Sequence, residues 1–378
     1  MRIYLDFNAG APLRPGAREA MLPFLGLAGN ASSAHREGAR ARAAVEEARG
    51  HVAALIGARP AEIVFTSGAT EANNLALRGV VRPPARLVTT AIEHASVLET
   101  ARALEADGAP CTVVSVDGEG CVSAADVVAA CVPGTALASL GLANGEVGSV
   151  APVAAVAAAL RGRGVRLHSD AVQGTGRLPI DVHALGVDLL SLSAHKLGGP
   201  AGVGALWVRR DVDLHPQLTG GPQERGRRAG TENVAGLVGF GEAARLARLE
   251  LAATAAYCAT LVDRLAAGIR TRLPDARVNG PSGWPRLPNT LNVTVPGCSG
   301  ESLVVLLDLA GIAVSAGSAC AAGAAEPSHV LLAMGRDRET ARSALRVSVG
   351  ATTTVADVDR LLAVLPEVAA QVRRGAAA

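Results

Sequence analysis

Through the middle of the chain, short apolar runs alternate with stretches whose apolar positions recur at helical spacing. Runs at 62–66, 86–90, 112–116, 136–142, 166–169, 189–192 and 203–208 predict strands, and segments 39–55, 67–77 and 151–161 predict helices. Strands interleaved with helices imply a mostly parallel sheet covered on both faces, an α/β fold. Segment 242–272 reads as one long helix, and the pattern changes after it. Strands at 290–295, 312–314 and 345–349 accompany helices at 302–309 and 355–372, which describes a smaller α+β unit. The first residues are too few to form a domain and are expected to pack on the small unit. The expected division is a large domain over 13–250 and a small one built from 1–12 and 251–378. The Ala-rich tail 373–378 is expected to fray, and no internal repeat is present.

Composition narrows this picture. A chain of 378 residues can bury a large core, but only 2% of it is aromatic against 49% hydrophobic, so that core is built from Ala, Val and Leu. The net charge of +2 offers no field that would draw the chain to nucleic acid or to an acidic membrane. The N-terminus lacks the apolar core of a signal peptide, and stretches such as 150–160 are too short to span a bilayer. The six cysteines form no C-x-x-C pair, so the expectation is free thiols in a reducing cytoplasm.

One residue stands apart: of 36 basic residues, 35 are Arg and one is Lys196. Arg keeps its proton near neutral pH, whereas a lysine whose site depresses its pKa can attack a carbonyl as a neutral amine. A codon preference for Arg would also leave a stray lysine, so the neighbours decide. Ser67-Gly68-Ala69-Thr70-Glu71 lies at a strand-to-helix junction, where free backbone N–H groups and the helix dipole suit a phosphate. The same residues would equally cap an ordinary helix. Asp170 falls at the carboxyl end of a strand, where open α/β sheets bind ligands and a carboxylate can pair with a protonated ring nitrogen; a plain turn Asp is the alternative. The strand ending near Ser193 delivers His195 and Lys196 to the same sheet edge. A phosphate cradle, an Asp and a lysine are together what a pyridoxal 5′-phosphate site requires. Cys320, in Ser315-Ala316-Gly317-Ser318-Ala319-Cys320, lies in a small polar segment from which a thiol can approach a bound ligand, or is merely a small residue in a Gly/Ala loop.

Many ordered motifs together resemble the cysteine desulfurases, pyridoxal-phosphate enzymes of aminotransferase class V with fold type I. They include Tyr4 to Ala9, Gly29 to His35, Thr66 to Glu71, Glu93-His94, Asn144-Gly145-Glu146-Val147-Gly148, Asp170 to Gln173, Ser193 to Lys196, Arg228 to Asn233 and Arg346-Val347-Ser348. The segment 315–320, followed by Glu326-Pro327-Ser328-His329-Val330-Leu331, resembles the branch with a long catalytic loop. The resemblance implies a large domain with a seven-stranded, mostly parallel sheet. It implies that Lys196 holds the cofactor, Asp170 pairs with its ring nitrogen, Gln173 reaches its ring hydroxyl, and His94 stacks on the ring and shuttles protons. Ala69, Thr70, Ser193 and His195 would hold the phosphate. Thr231 would reach the phosphate of a neighbouring subunit, making a homodimer with shared sites. Asn8, Arg346 and Asn144 would bind the substrate, L-cysteine. Cys320 would take its sulfur as a persulfide, leave alanine, and pass the sulfur to an acceptor protein: a scaffold, a thiolation enzyme or a DNA-sulfur-modification component.

Three positions depart from the family pattern. Gly145 stands where an Asn faces the cofactor, with water or Asn144 as the expected substitute; Ala316 replaces a loop Ser, and Ala31 a Pro. Two rivals stand beside this reading: a selenocysteine lyase or other β-eliminating enzyme on the same fold, and a degenerate scaffold that only binds.

Overall fold

The computed structural model describes residues 2–283, 285–316 and 326–376. The chain opens with β1 (Ile3–Tyr4), α1 (Pro15–Leu25), α2 (Arg36–Leu55), β2 (Ile63–Thr66), α3 (Ala69–Val80), β3 (Arg86–Thr90), α4 (Ala95–Ala106) and β4 (Cys111–Val114). It continues through α5 (Ala124–Ala130), β5 (Thr135–Gly141), α6 (Val153–Leu160), β6 (Arg166–Asp170), α7 (Val182–Leu185), β7 (Leu189–Ser193), β8 (Gly204–Val208) and α8 (Val234–Arg272). The last part comprises β9 (Arg277–Asn279), β10 (Thr290–Thr294), α9 (Gly300–Leu309), β11 (Ile312–Ala313), α10 (His329–Ala333), α11 (Arg338–Arg342), β12 (Ala344–Ser348) and α12 (Val355–Ala376).

Seven strands form the main sheet in the order β2-β8-β7-β6-β5-β3-β4. Only β8 runs against its neighbours; β7, β6, β5, β3 and β4 are parallel. Side chains alternate across a strand, and so does their burial. Val64, Leu87, Leu137, Leu189 and Leu206 join one apolar cluster, while Phe65, Val88, Ala138, Leu190 and Ala205 join another. A sheet buried on both faces explains why its strands read as unbroken apolar runs. The open edge at β2 is covered: Arg49 donates to Ile63 O at 3.0 Å, and Glu224 accepts from Phe65 N at 2.9 Å. Those two side chains pair with each other at 2.6 and 2.9 Å.

The second unit has its own core, around Leu261, Leu265, Leu291, Val293, Leu303, Leu345 and Leu361. Its antiparallel sheet has the order β12-β10-β9. The N-terminal segment packs here, with β1 beside β11 and Leu5 inside the core. The long helix α8 belongs to both units. Ala243, Ala244 and Ala247 lie in one of the main-sheet cores and Cys258, Leu261 and Leu265 in that of the second unit, so residue 250, the expected domain boundary, falls within a continuous helix.

Two expectations need correction. The long helix starts at Val234, capped by the Asn233 side chain, and not at 242. Its early glycines permit close contact: a Cβ on Gly241 would lie 2.5 Å from Ala48 Cα of α2. The tail is not frayed from 373, because α12 continues to Ala376 and Arg373 donates to Pro296 O at 3.0 Å and to Asp275 at 2.5 Å. Among the described residues, no helix is long and apolar enough to cross a membrane, and no His/Cys/Asp/Glu group could hold a metal ion.

Candidate active site

Parallel strands β5, β6 and β7 end side by side at Gly141, Asp170 and Ser193. Beneath Asp170 the strands are tied together by His168, whose two ring nitrogens meet Ser139 Oγ at 2.8 Å and Ser191 Oγ at 2.9 Å. Burial pushes His168 down to about 4, against the pull of Asp170, so it remains a neutral strut at physiological pH.

Beyond those strand ends lies a cavity of about 630 Å³. Of the residues expected to hold the cofactor, Ala69, Thr70, His94, Asp170, Gln173, Ser193, His195 and Lys196 all line it. Of those expected to bind substrate, Asn8, Asn144 and Arg346 line it too. Thr231 does not; it is exposed on the surface. Cys320 lies outside the described residues.

Lys196 sits in the short helical turn Ala194–Lys196 that follows β7, and its Nζ donates to Asn8 O at 2.5 Å and Ala9 O at 2.9 Å. Asp170 is buried and doubly supported. Its Oδ1 accepts from Val172 N at 3.0 Å and its Oδ2 from Asn73 Nδ2 at 2.7 Å. The other Asn73 amide hydrogen goes to Ser96 Oγ at 2.8 Å, and Ser96 Oγ is 2.8 Å from His94 Nδ1. That nitrogen also accepts from Ser96 N at 3.1 Å, which leaves Nε2 as the ring's donor. Burial, with Lys196, Arg177 and His94 nearby, pushes His195 down to about 4 and keeps it a neutral imidazole.

The phosphate candidate is the N-terminus of α3, whose first-turn N–H groups have no acceptor inside the helix. Glu71 in that turn is neutralised by Arg228 at 2.8 Å and accepts from Ser67 N at 2.7 Å, which ties the Arg228 segment to the helix.

The substrate candidates are held in detail. Arg346, nearly buried, pairs with Asp6 at 2.7 Å, and its Nε is buried without an acceptor among the described residues. Asn8 donates to Gly145 O at 2.9 Å and Thr290 Oγ1 at 2.7 Å and accepts from Asn289. Asn144 does not take the place opened by Gly145. Its Oδ1 caps Glu146 N and Val147 N, and its Nδ2 donates to Ile92 O at 3.0 Å. Gln173 fills that space instead: a Cβ at Gly145 would lie 2.6 Å from Gln173 Cδ.

Sequence reading gave no role to Asn73, Glu93, Arg177 or His329. Glu93 is buried in the cavity wall and takes Thr90 Oγ1 and Gly141 N on one oxygen, leaving the other without a partner among the described residues. Burial raises its carboxyl to about 7, with Asp170 adding to the rise. His329 Nε2 donates to Glu93 O at 3.0 Å, and Ser328 donates to Glu146 at 2.5 Å, so the segment after residue 325 is anchored to the cavity wall. Glu93, His329 and Ser328 lie within quoted motifs, which was their signal; Arg177 and Asn73 are visible only through their tertiary partners.

The Aminotransferase class-V family profile matches residues 3–361. A cysteine desulfurase of Cereibacter sphaeroides is 47% identical over 378 residues, covering 98% of this chain and 97% of its own. A solved NifS-like protein superimposes with a TM-score of 0.91 at 37% identity, over 98% of this chain and 100% of that one. SspA, solved in complex with cysteine, superimposes with a TM-score of 0.80 at 33% identity, over 92% of this chain and 99% of its own.

Proposed function

Because the chain belongs to the aminotransferase class-V family and carries its cysteine desulfurase activity, we propose that the cavity binds pyridoxal 5′-phosphate and L-cysteine and that Cys320 receives the sulfur. The observation that carries this assignment is the convergence of the only lysine, the doubly supported Asp170 and the N-terminus of α3 on one cavity. The donor set fits the cofactor: an amine, a carboxylate held by two donors, and open backbone N–H groups for a phosphate. When bound, the cofactor supplies an electron sink that loosens bonds at the α and β carbons of the amino acid.

The protein's residues do the rest. Lys196 holds the cofactor and moves protons at Nζ. The Asp170 carboxylate keeps the ring nitrogen protonated, and Asn73 and Val172 fix its orientation. Ala69, Thr70, Ser193 and the neutral His195 cradle the phosphate, and His94 stacks on the ring. Asn8 and Arg346 orient the substrate carboxylate, for which Arg346 is shared with Asp6. In the overall reaction the Cys320 thiolate forms an S–S bond to the substrate sulfur, the C–S bond breaks with its electron pair going to Cβ, and one proton at Cβ completes the methyl group of alanine. We place the reaction in the reducing cytoplasm, on the strength of the free cysteines, and assign the persulfide to an acceptor protein. Exposed Thr231 reaches the phosphate of a second copy, forming a homodimer with shared sites.

The test combines colour and chemistry. The purified protein is expected to be yellow, and borohydride is expected to bleach it and attach the cofactor to Lys196. Cys320→Ala is expected to keep the colour and abolish sulfide and alanine production from L-cysteine. A colourless protein that takes up no cofactor would overturn the assignment, and undiminished turnover by Cys320→Ala would overturn the persulfide route.

A further inference from the structure

Arg177 is a buried guanidinium beside the site, and it pairs with no carboxylate among the described residues. Its Nη1 donates to Gln173 O at 2.9 Å and to Gln173 Oε1 at 2.7 Å, and its Nη2 donates to Phe7 O at 3.2 Å. A buried charge without a counter-charge is costly, and folded proteins keep one where an ion will meet it. Two further cations stand around it, Arg346, whose field it feels, and Lys196 beyond Asn8, while the neutral His195 is held uncharged partly by its field. Cys258 of α8 faces it as a thiol that burial raises to about 11, so that group brings no negative charge at neutral pH. Arg346 already has Asp6. Arg177 has none.

The contact to Oε1 also settles which way the Gln173 amide points. With Oε1 taken by Arg177, Nε2 must face the other way. One of its hydrogens goes to Asn8 O at 3.1 Å, and the second is left for the cavity that Gln173 lines. Gly145 makes the arrangement possible, because any side chain there would displace the amide.

We propose that Arg177 is a positioning residue: acting through Gln173, it orients an N–H donor and supplies the positive charge for an anionic ring oxygen in the cavity. This rests on the reading of the cavity as a pyridoxal 5′-phosphate site. The chemistry is an electrostatic one. A cation behind the ring oxygen favours its anionic form and makes the proton on the Lys196 nitrogen easier to lose. Burial and Arg346 both oppose the charge on Arg177, lowering it to about 10, so an arriving anion relieves a standing cost.

The experiment is a pH titration of the visible absorption of the cofactor-loaded protein, for wild type, Arg177→Gln, Arg177→Met and Arg177→Lys. Loss of the charge in the Gln and Met variants is expected to move the midpoint up by about one unit, the order expected when one nearby charge is removed. Arg177→Lys, which keeps the charge, is expected to stay near wild type. Without cofactor, Arg177→Met is expected to unfold at no lower denaturant than wild type, because an unpaired buried cation has been replaced by an apolar chain. Unmoved midpoints in the Gln and Met variants would overturn the proposal. Unmoved midpoints with tenfold weaker binding of L-alanine would overturn it too, assigning the charge to the substrate carboxylate. Failure of the wild-type protein to take up any cofactor would instead refute the underlying reading of the cavity.

Discussion

Glu93 shows how burial at this cavity sets a proton. Its carboxyl is raised to about 7, so the folded protein keeps a proton that the unfolded chain has already released. Relative to acid conditions, stability is therefore lost as pH climbs from the ordinary carboxyl range towards 7, and the loss is complete above it. Glu93→Gln mimics the protonated form, keeping an acceptor for Thr90 and Gly141. Without cofactor, it is expected to be more stable than wild type by on the order of 3 kcal/mol at pH 8 and no more stable in the acid range, as read by denaturant unfolding at several pH values. Lys196 was legible in the sequence because it is the one lysine of the chain, and Asp170 because it falls at the carboxyl end of an apolar strand. Asn73 and Arg177 were not. An amide or a guanidinium gains its role from partners 97 and 4 residues away, and only the folded chain supplies the geometry.

Among the elements, the strands were the most legible, because burial on both faces leaves uninterrupted apolar runs. The short helices α1, α4, α5 and α11 were not, being settled by packing and caps more than by period; α4, for instance, starts at the His94 ring, which accepts from Ser96 N. The edge of β2 carries a testable load. Arg49 and Glu224 are both buried, bond each other twice, and satisfy Ile63 O and Phe65 N of the strand. Glu224 holds this position despite a φ of 47°, in the left-handed region, as does Arg225 at 58°. Glu224→Ala leaves Arg49 buried and the strand edge open. It is expected to cost about 3–5 kcal/mol in denaturant unfolding. The double variant Arg49→Met, Glu224→Leu is expected to recover part of that loss.

For the whole molecule, two cores share one helix of 39 residues, which spans about 58 Å at 1.5 Å per residue. The proposed homodimer with shared sites makes a specific demand. Chains bearing Lys196→Ala and chains bearing Thr231→Ala should complement each other when unfolded, mixed and refolded, since one of the two sites in each mixed dimer is intact. Activity is expected to rise to about a quarter of wild type at equal mixing, whereas independent monomers would show no gain. Finally, the single lysine makes occupancy of the cavity readable as a length. A protease that cuts after lysine can divide the denatured chain only once, into 1–196 and 197–378. Molecules whose Lys196 nitrogen has been reduced onto the cofactor resist that cut and stay whole, so the ratio of intact chain to halves on a gel counts filled sites directly, with no need for colour or turnover.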